Sequence, residues 1–316
     1  MRAWVIRAKR EPLELVNFPE PALRPGEVIL DVLAAGLCHS DVGIVDDDAF
    51  PLPASPFVLG HEIAGTVAAV GPGVTEWAIG DAVCVGPPSD DCPGIDRHGG
   101  YAEKVSVPAR MLIRIPDELP FELAAVAMDA GMTSHAAVMT GAQAGPGRRI
   151  GIIGFGGLGQ FGTRIASLAG AQVYVAELKR DRWPAARAAG AVEVGESIVE
   201  FADRDLDAIV DFAGFGTTTS EAIRAVRRHG RVVQVGLGVS TAEISMLDLT
   251  LGRVTLIGVM GGERQDAERV CALMAAGRLD ADIELIGFGD IAAGVERLRR
   301  GQVAGRLVAT LASRQN

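Results

Sequence analysis

The chain has 316 residues, room for two domains of about 150 residues each. Its 48% hydrophobic and 22% charged residues describe a globular protein with ample apolar surface to bury. A formal charge of −10 repels phosphate backbones and anionic lipid surfaces, so neither nucleic acid nor a membrane is expected as a partner.

The N-terminal stretch Met1 to Arg7 is too short and too charged for a signal peptide, and no run approaches a membrane span. The four cysteines (38, 84, 92 and 271) are scattered, which argues against a disulfide framework and for a reducing, cytoplasmic setting. From residue 1 to about 125, short β-like runs alternate with Pro and Gly: Val28 to Leu33, Gly65 to Val70, Asp81 to Val85 and Tyr101 to Val107. Their close spacing predicts a compact, mostly antiparallel barrel. The rhythm changes near residue 145. Arg149 to Ile153 reads as a strand, followed by a glycine loop and a helix to about Ala169. Strand patterns recur at 173–176, 191–194, 208–212, 232–235 and 254–257, with helices between most of them, including Thr219 to Arg228. That alternation predicts an α/β domain with a doubly wound parallel sheet. Two more helices, 265–276 and 290–300, are each followed by a β-like run, the last being Arg306 to Leu311.

The loop Gly154-Phe155-Gly156-Gly157-Leu158-Gly159 follows a strand and opens a helix, the setting of a dinucleotide fingerprint. Glycines let the backbone approach a pyrophosphate, and the helix start supplies free N–H groups. Glu177, about twenty residues on, sits where a carboxylate accepts the ribose hydroxyls. It favours NAD over NADP, whose 2′-phosphate it would repel. Lys179, Arg180 and Arg182 pull the other way, as receivers for such a phosphate, or are a solvated charged loop.

Two stretches carry a second chemistry. Gly36-Leu37-Cys38-His39-Ser40-Asp41 and Leu59-Gly60-His61-Glu62 offer a thiol and an imidazole, the donors zinc prefers. Each residue alone reads more often as core. Taken with the glycine loop, the set resembles the zinc-dependent alcohol dehydrogenases of the medium-chain dehydrogenase/reductase superfamily over nearly the whole chain. The resemblance implies a GroES-like β-barrel catalytic domain, residues 1–130 and 260–316, with a Rossmann domain at 131–259. It implies Cys38 and His61 as zinc ligands and Glu62 as a carboxylate behind the metal that approaches it during ligand exchange. Asp41 would orient the metal histidine, and Ser40 would receive the alcohol proton. His39 and Arg306 match positions that contact the cofactor pyrophosphate, and Thr133 one beside the nicotinamide.

Three departures from the family pattern stand out. Where many relatives have a third cysteine ligand, this chain has Asp129, a competent zinc ligand that leaves a somewhat stronger Lewis acid. The same change is familiar in the branch acting on secondary alcohols and ketones. The lobe that carries a structural zinc in relatives is cut to residues 86–98, with Cys92 as its one cysteine. We therefore expect a solvated loop there and one zinc per chain. Gly43 stands where some relatives have a proton-relaying histidine.

The implied reaction is reversible hydride transfer between an alcohol, secondary more than primary, or its ketone or aldehyde, and the nicotinamide, the alcohol being activated as an alkoxide at zinc. The rivals are a zinc-free quinone or enoyl reductase of the same fold, and a catalytically silent dinucleotide-binding redox sensor. Ala49, Phe50 and Pro87 are expected near the substrate. A homodimer or homotetramer is expected through the Rossmann domain, around Val254 to Gly262.

Overall fold

The computed structural model describes residues 1–47, 50–86 and 91–311. Ala49 and Pro87, expected near the substrate, lie outside the described residues. The chain divides into two compact units, one of residues 1–129, 267–278 and 282–316, the other of 130–266 and 279–281.

The first unit opens with an antiparallel pair, β1 (Arg2–Val5) and β2 (Glu14–Asn17). The long strand β3 (Glu27–Leu37) alternates buried and half-buried residues until its last four, which are all buried. The short helix α1 (His39–Asp46) follows directly. Next come β4 (Glu62–Val70), β5 (Ala82–Val85), β6 (Lys104–Pro108) and β7 (Leu112–Arg114), then α2 (Phe121–Val126). A π-helical turn, Ala127–Gly131, continues from α2 into α3 (Met132–His135). Such turns recur at functional sites because the extra residue re-aims a side chain. Among the described residues 91–98 of the shortened interval, the middle is not the solvated loop its composition suggests, although Asp96 and His98 are exposed. Cys92, Pro93 and Gly94 are buried, and Gly94 and Gly99 pack on the backbone of Gly60.

The second unit is a six-stranded sheet, all parallel. Its elements are β8 (Arg149–Ile153), α4 (Gly159–Leu168), β9 (Gln172–Ala176), α5 (Trp183–Ala188), β10 (Ala191–Gly195) and β11 (Leu206–Asp211). They continue with α6 (Thr217–Ala225), β12 (Val226–Gln234), α7 (Met246–Gly252) and β13 (Thr255–Gly258). The order β10-β9-β8-β11-β12-β13 reverses direction between β8 and β11. Ligands of such sheets bind outside the strand ends at that reversal. Helix α6 stops at Ala225, three residues short of the predicted Arg228. Val226 turns to extended backbone, and Arg227 ion-pairs with Asp207 from within the strand.

The chain then supplies α8 (Arg264–Ala275), β14 (Ile283–Gly287), α9 (Ile291–Arg299) and β15 (Arg306–Thr310). The last strands complete the sheet of the first unit, ordered β14-β15-β3-β4-β5-β7, with β6 also on β3. All its pairs are antiparallel except β14 with β15. Leu30, Leu37, Leu59, Ile63, Tyr101 and Leu112 are fully buried in its core. No described helix is long and apolar enough to cross a membrane.

Candidate metal centre

Antiparallel pairing of β3 with β4 sets Gly36 opposite Glu62 and Ala35 opposite Ile63. The residues just past each pairing, Cys38 after β3 and His61 before β4, therefore meet at the same end of the sheet. Strand β15 lies on the other side of β3 with Leu307 opposite Leu37, which brings Arg306 to that end as well. The π-helical turn adds Asp129. Each of these residues belongs to the first unit.

Two donors converge on one carboxylate oxygen. Asp129 Oδ2 lies 3.3 Å from Cys38 Sγ and 3.6 Å from His61 Nε2. Cys38, His61, Glu62 and Asp129 each offer one ligand atom, all within 4.8 Å of one another. Cys38, His61 and Glu62 are buried; Asp129 is half-buried. Ser40, exposed in the first turn of α1, places its Oγ 3.5 Å from Cys38 Sγ. His39, also exposed, begins that helix.

Asp41 lies behind the imidazole. Its Oδ1 faces His61 Nδ1 at 3.4 Å, and among the described residues neither atom has a hydrogen-bond partner. Its Oδ2 accepts the Cys38 amide at 2.9 Å and the Tyr101 hydroxyl at 2.6 Å. Burial works against charge on Asp41, but His61, Tyr101 and the Cys38 amide outweigh it and hold the carboxyl below its usual range. Burial likewise opposes a charged His61, and the attraction of Asp41 with the hydrogen bond to Asp129 raises it well above normal. Burial and then Asp41 drive the Tyr101 phenol up. With Nδ1 turned to a carboxylate, Nε2 is left to face Cys38 and Asp129, the orientation a metal-binding histidine needs. A thiolate, an imidazole and a carboxylate suit zinc. The residues present fit that ion.

Arg306 is 3% exposed and sits against the same group. Its guanidinium ion-pairs with Glu62, Nε donating to Oε2 at 3.2 Å, and Nη2 donates to Asp129 Oδ2 at 2.6 Å. The pattern of residue types gave no sign of this contact, nor of Tyr101. Residue type likewise gives no sign that Gly36 shapes the site. A Cβ there would run into the Glu62 carboxylate, so the glycine makes the room that Glu62 occupies. Cys92 is buried and its thiol is pushed up to about 12, chiefly by burial, so it stays protonated.

In the second unit the glycine loop has the predicted setting. Gly154, at φ +83°, leaves β8, and α4 begins at Gly159, where a Cβ would strike the Gly154 carbonyl. Gly156, Gly157 and Leu158 lie between, all half-buried, and Leu158 O accepts the Ser134 hydroxyl at 2.9 Å. Glu177 is nearly buried and braces the loop: its oxygens accept Phe155 N–H and Lys179 N–H, each at 2.8 Å. A carboxylate has about four acceptor positions, so room for ribose hydroxyls remains. Arg182 is half-buried just before α5, and Thr133 is buried in α3.

Comparison with known proteins points the same way. The alcohol dehydrogenase GroES-like domain profile matches residues 24–117, and the zinc-binding dehydrogenase profile matches 157–276. An alcohol dehydrogenase of Geobacillus stearothermophilus is 30% identical over 98% of this chain and 99% of its own. The NADP-dependent alcohol dehydrogenase C 1 of Mycolicibacterium smegmatis is 29% identical, with 98% of each chain covered. Among solved structures, acetophenone reductase from Geotrichum candidum in complex with NAD superposes with a TM-score of 0.92. It is 31% identical, over 98% of this chain and 97% of that one.

Proposed function

The chain belongs to the zinc-dependent alcohol dehydrogenases of the medium-chain dehydrogenase/reductase superfamily, and from that premise we propose that Cys38, His61 and Asp129 hold one catalytic zinc. The enzyme transfers hydride between an alcohol or its carbonyl counterpart and a nicotinamide cofactor. The observation that carries the site assignment is the convergence of Cys38 Sγ and His61 Nε2 on Asp129 Oδ2.

Zinc in that group would supply Lewis acidity, of the kind that lowers the pKa of bound water from about 16 to about 7. The protein's own residues do the rest. Asp41 holds the His61 ring in one orientation, and Cys38 with Asp129 contributes two negative charges to match a dication. Ser40, exposed beside Cys38, receives the alcohol proton. Gly43 has no side chain to pass that proton on, so its exit uses another group or solvent. Roles for His39 and Arg306 at the pyrophosphate and for Thr133 at the nicotinamide rest on the family resemblance.

Asp129 in place of a cysteine resembles the branch acting on secondary alcohols and ketones, and the Geotrichum enzyme is a reductase of acetophenone, a ketone. Glu177 favours NAD, the cofactor in that complex, whereas the Mycolicibacterium relative is NADP-dependent. Assembly through the edge strand β13 is favoured by the exposed Leu256 on it, and by Met246, Leu247 and Leu251 exposed on α7. Unpaired apolar edges invite a second copy, giving a dimer or tetramer. Four buried free cysteines suit a reducing cytoplasm.

The deciding experiment is a rate matrix of primary against secondary alcohols with NAD and with NADP, on protein of measured metal content. Asp129→Ala is expected to lose zinc and activity together. Full activity in the absence of metal would defeat the assignment, and chelator-insensitive reduction of quinones or enones would install the zinc-free reductase instead. Elemental analysis finding two zinc ions per chain would refute the single site.

A further inference from the structure

Four protein donors around one zinc make a closed, structural site; a catalytic site has three and keeps a position open. Here Cys38, His61, Glu62 and Asp129 all present ligand atoms within 4.8 Å of one another. Their geometry by itself would allow closure. Some other contact must hold one donor back.

The donor held back is Glu62. It is fully buried on β4, with its carboxylate against the backbone of Gly36. Arg306 grips it with a fork: Nε and Nη2 lie on the two carboxylate oxygens. Paired donors of this kind fix direction as well as charge, which a lysine cannot do. The same Nη2 touches Asp129 Oδ2, so the fork is anchored at the rim of the group as well. The charges agree with this division. The Cys38 thiolate and the Asp129 carboxylate match a dication, Asp41 is held by the Cys38 amide, Tyr101 and His61, and Arg306 is the cation paired with Glu62.

We propose that Arg306 is the positioning residue that keeps Glu62 out of the zinc coordination shell and so preserves the open position where the substrate oxygen binds. This rests on the zinc assignment above. Without Arg306, Glu62 would be a buried carboxylate stripped of the cation that now pairs it, beside a metal that could take its place. An unpaired buried charge is costly enough to drive it there.

The test uses full-length protein loaded with cobalt(II), whose visible bands report ligand changes without turnover. Wild type is expected to take up one cobalt per chain and to show a saturable band shift when imidazole fills the open position. Arg306→Gln is expected to keep its cobalt, release it to EDTA at least about tenfold more slowly, and lose the imidazole shift. The double variant Arg306→Gln with Glu62→Gln is expected to regain the shift. Arg306→Met, which fills the same buried space without a charge, carries the test if circular dichroism shows the Gln variant unfolded. An imidazole response in either single variant equal to wild type would overturn the proposal while leaving the zinc assignment intact. A wild-type protein that takes up no cobalt would overturn both.

Discussion

Tyr101 donates its hydroxyl to Asp41 at 2.6 Å, and the other oxygen of Asp41 faces His61 Nδ1 at 3.4 Å. A phenol far from the cysteine and histidine motifs in sequence thus fixes the carboxylate that orients a candidate metal ligand. Tyr101→Phe removes one hydrogen bond to a buried charge, about 1.5–3 kcal/mol. Zinc affinity, measured by competition with a chromophoric chelator, is expected to fall about 10- to 100-fold. Unchanged affinity would show that the Cys38 amide alone holds Asp41.

Gly36→Ala puts a methyl group into the Glu62 carboxylate. Overpacking of this kind costs about 1–3 kcal/mol, and Glu62 is fully buried where the methyl group would arrive. A lower urea midpoint at unchanged slope is the expected result. Wild-type stability would mean that Glu62 has another rotamer to occupy.

Glu177 joins cofactor choice to loop geometry, since it braces Phe155 and Lys179. Glu177→Ala is expected to raise the KM for NAD by about 10- to 100-fold, from the loss of charged hydrogen bonds worth about 1.5–3 kcal/mol. The NADP/NAD ratio of kcat/KM should rise as the repulsion of a 2′-phosphate disappears. A ratio that does not move would remove Glu177 from the specificity argument.

Glu27 illustrates a pH effect away from the site. Burial raises its pKa, but hydrogen bonds from Arg97 at 2.7 Å and Ser106 at 2.7 Å, with the Arg97 charge, outweigh that and leave the carboxyl below 4.5. A folded-state pKa below the unfolded one means the stabilisation is complete above about pH 4.5 and is lost as pH falls through the depressed folded value. Glu27→Gln should therefore narrow the stability gap between pH 7 and pH 4 in urea titrations. An identical gap would show that other carboxylates set it.

Gly159→Ala tests the close approach in the glycine loop. Its new methyl group meets the Gly154 carbonyl, a backbone atom that cannot rotate away. NADH affinity, read from nicotinamide fluorescence, is expected to drop at least about tenfold because the loop must open. Zinc content should stay the same.

Much of this was legible in residue order. The strand at 149–153 matched residue for residue, because an apolar run bounded by a glycine loop admits few readings. Cys38 and His61 are legible as ligands from donor type and Asp129 from the family resemblance, and the fold places their side chains together. Less legible was where α6 ends. Val226 to Arg228 carry on the helical pattern, but β12 takes them because Arg227 finds Asp207 from the strand.

The sequence by itself determined the family, the two kinds of domain and the chemistry on offer, since donor types and glycine spacing are local properties of the chain. Only the tertiary structure decided who faces whom. Arg306 lies 244 residues from Glu62 and 177 from Asp129, and no local pattern carries that information. The register of β3 against β4 and β15 does, by bringing three distant segments to one end of a sheet. There a buried arginine must find buried carboxylates, because charge away from water needs a partner.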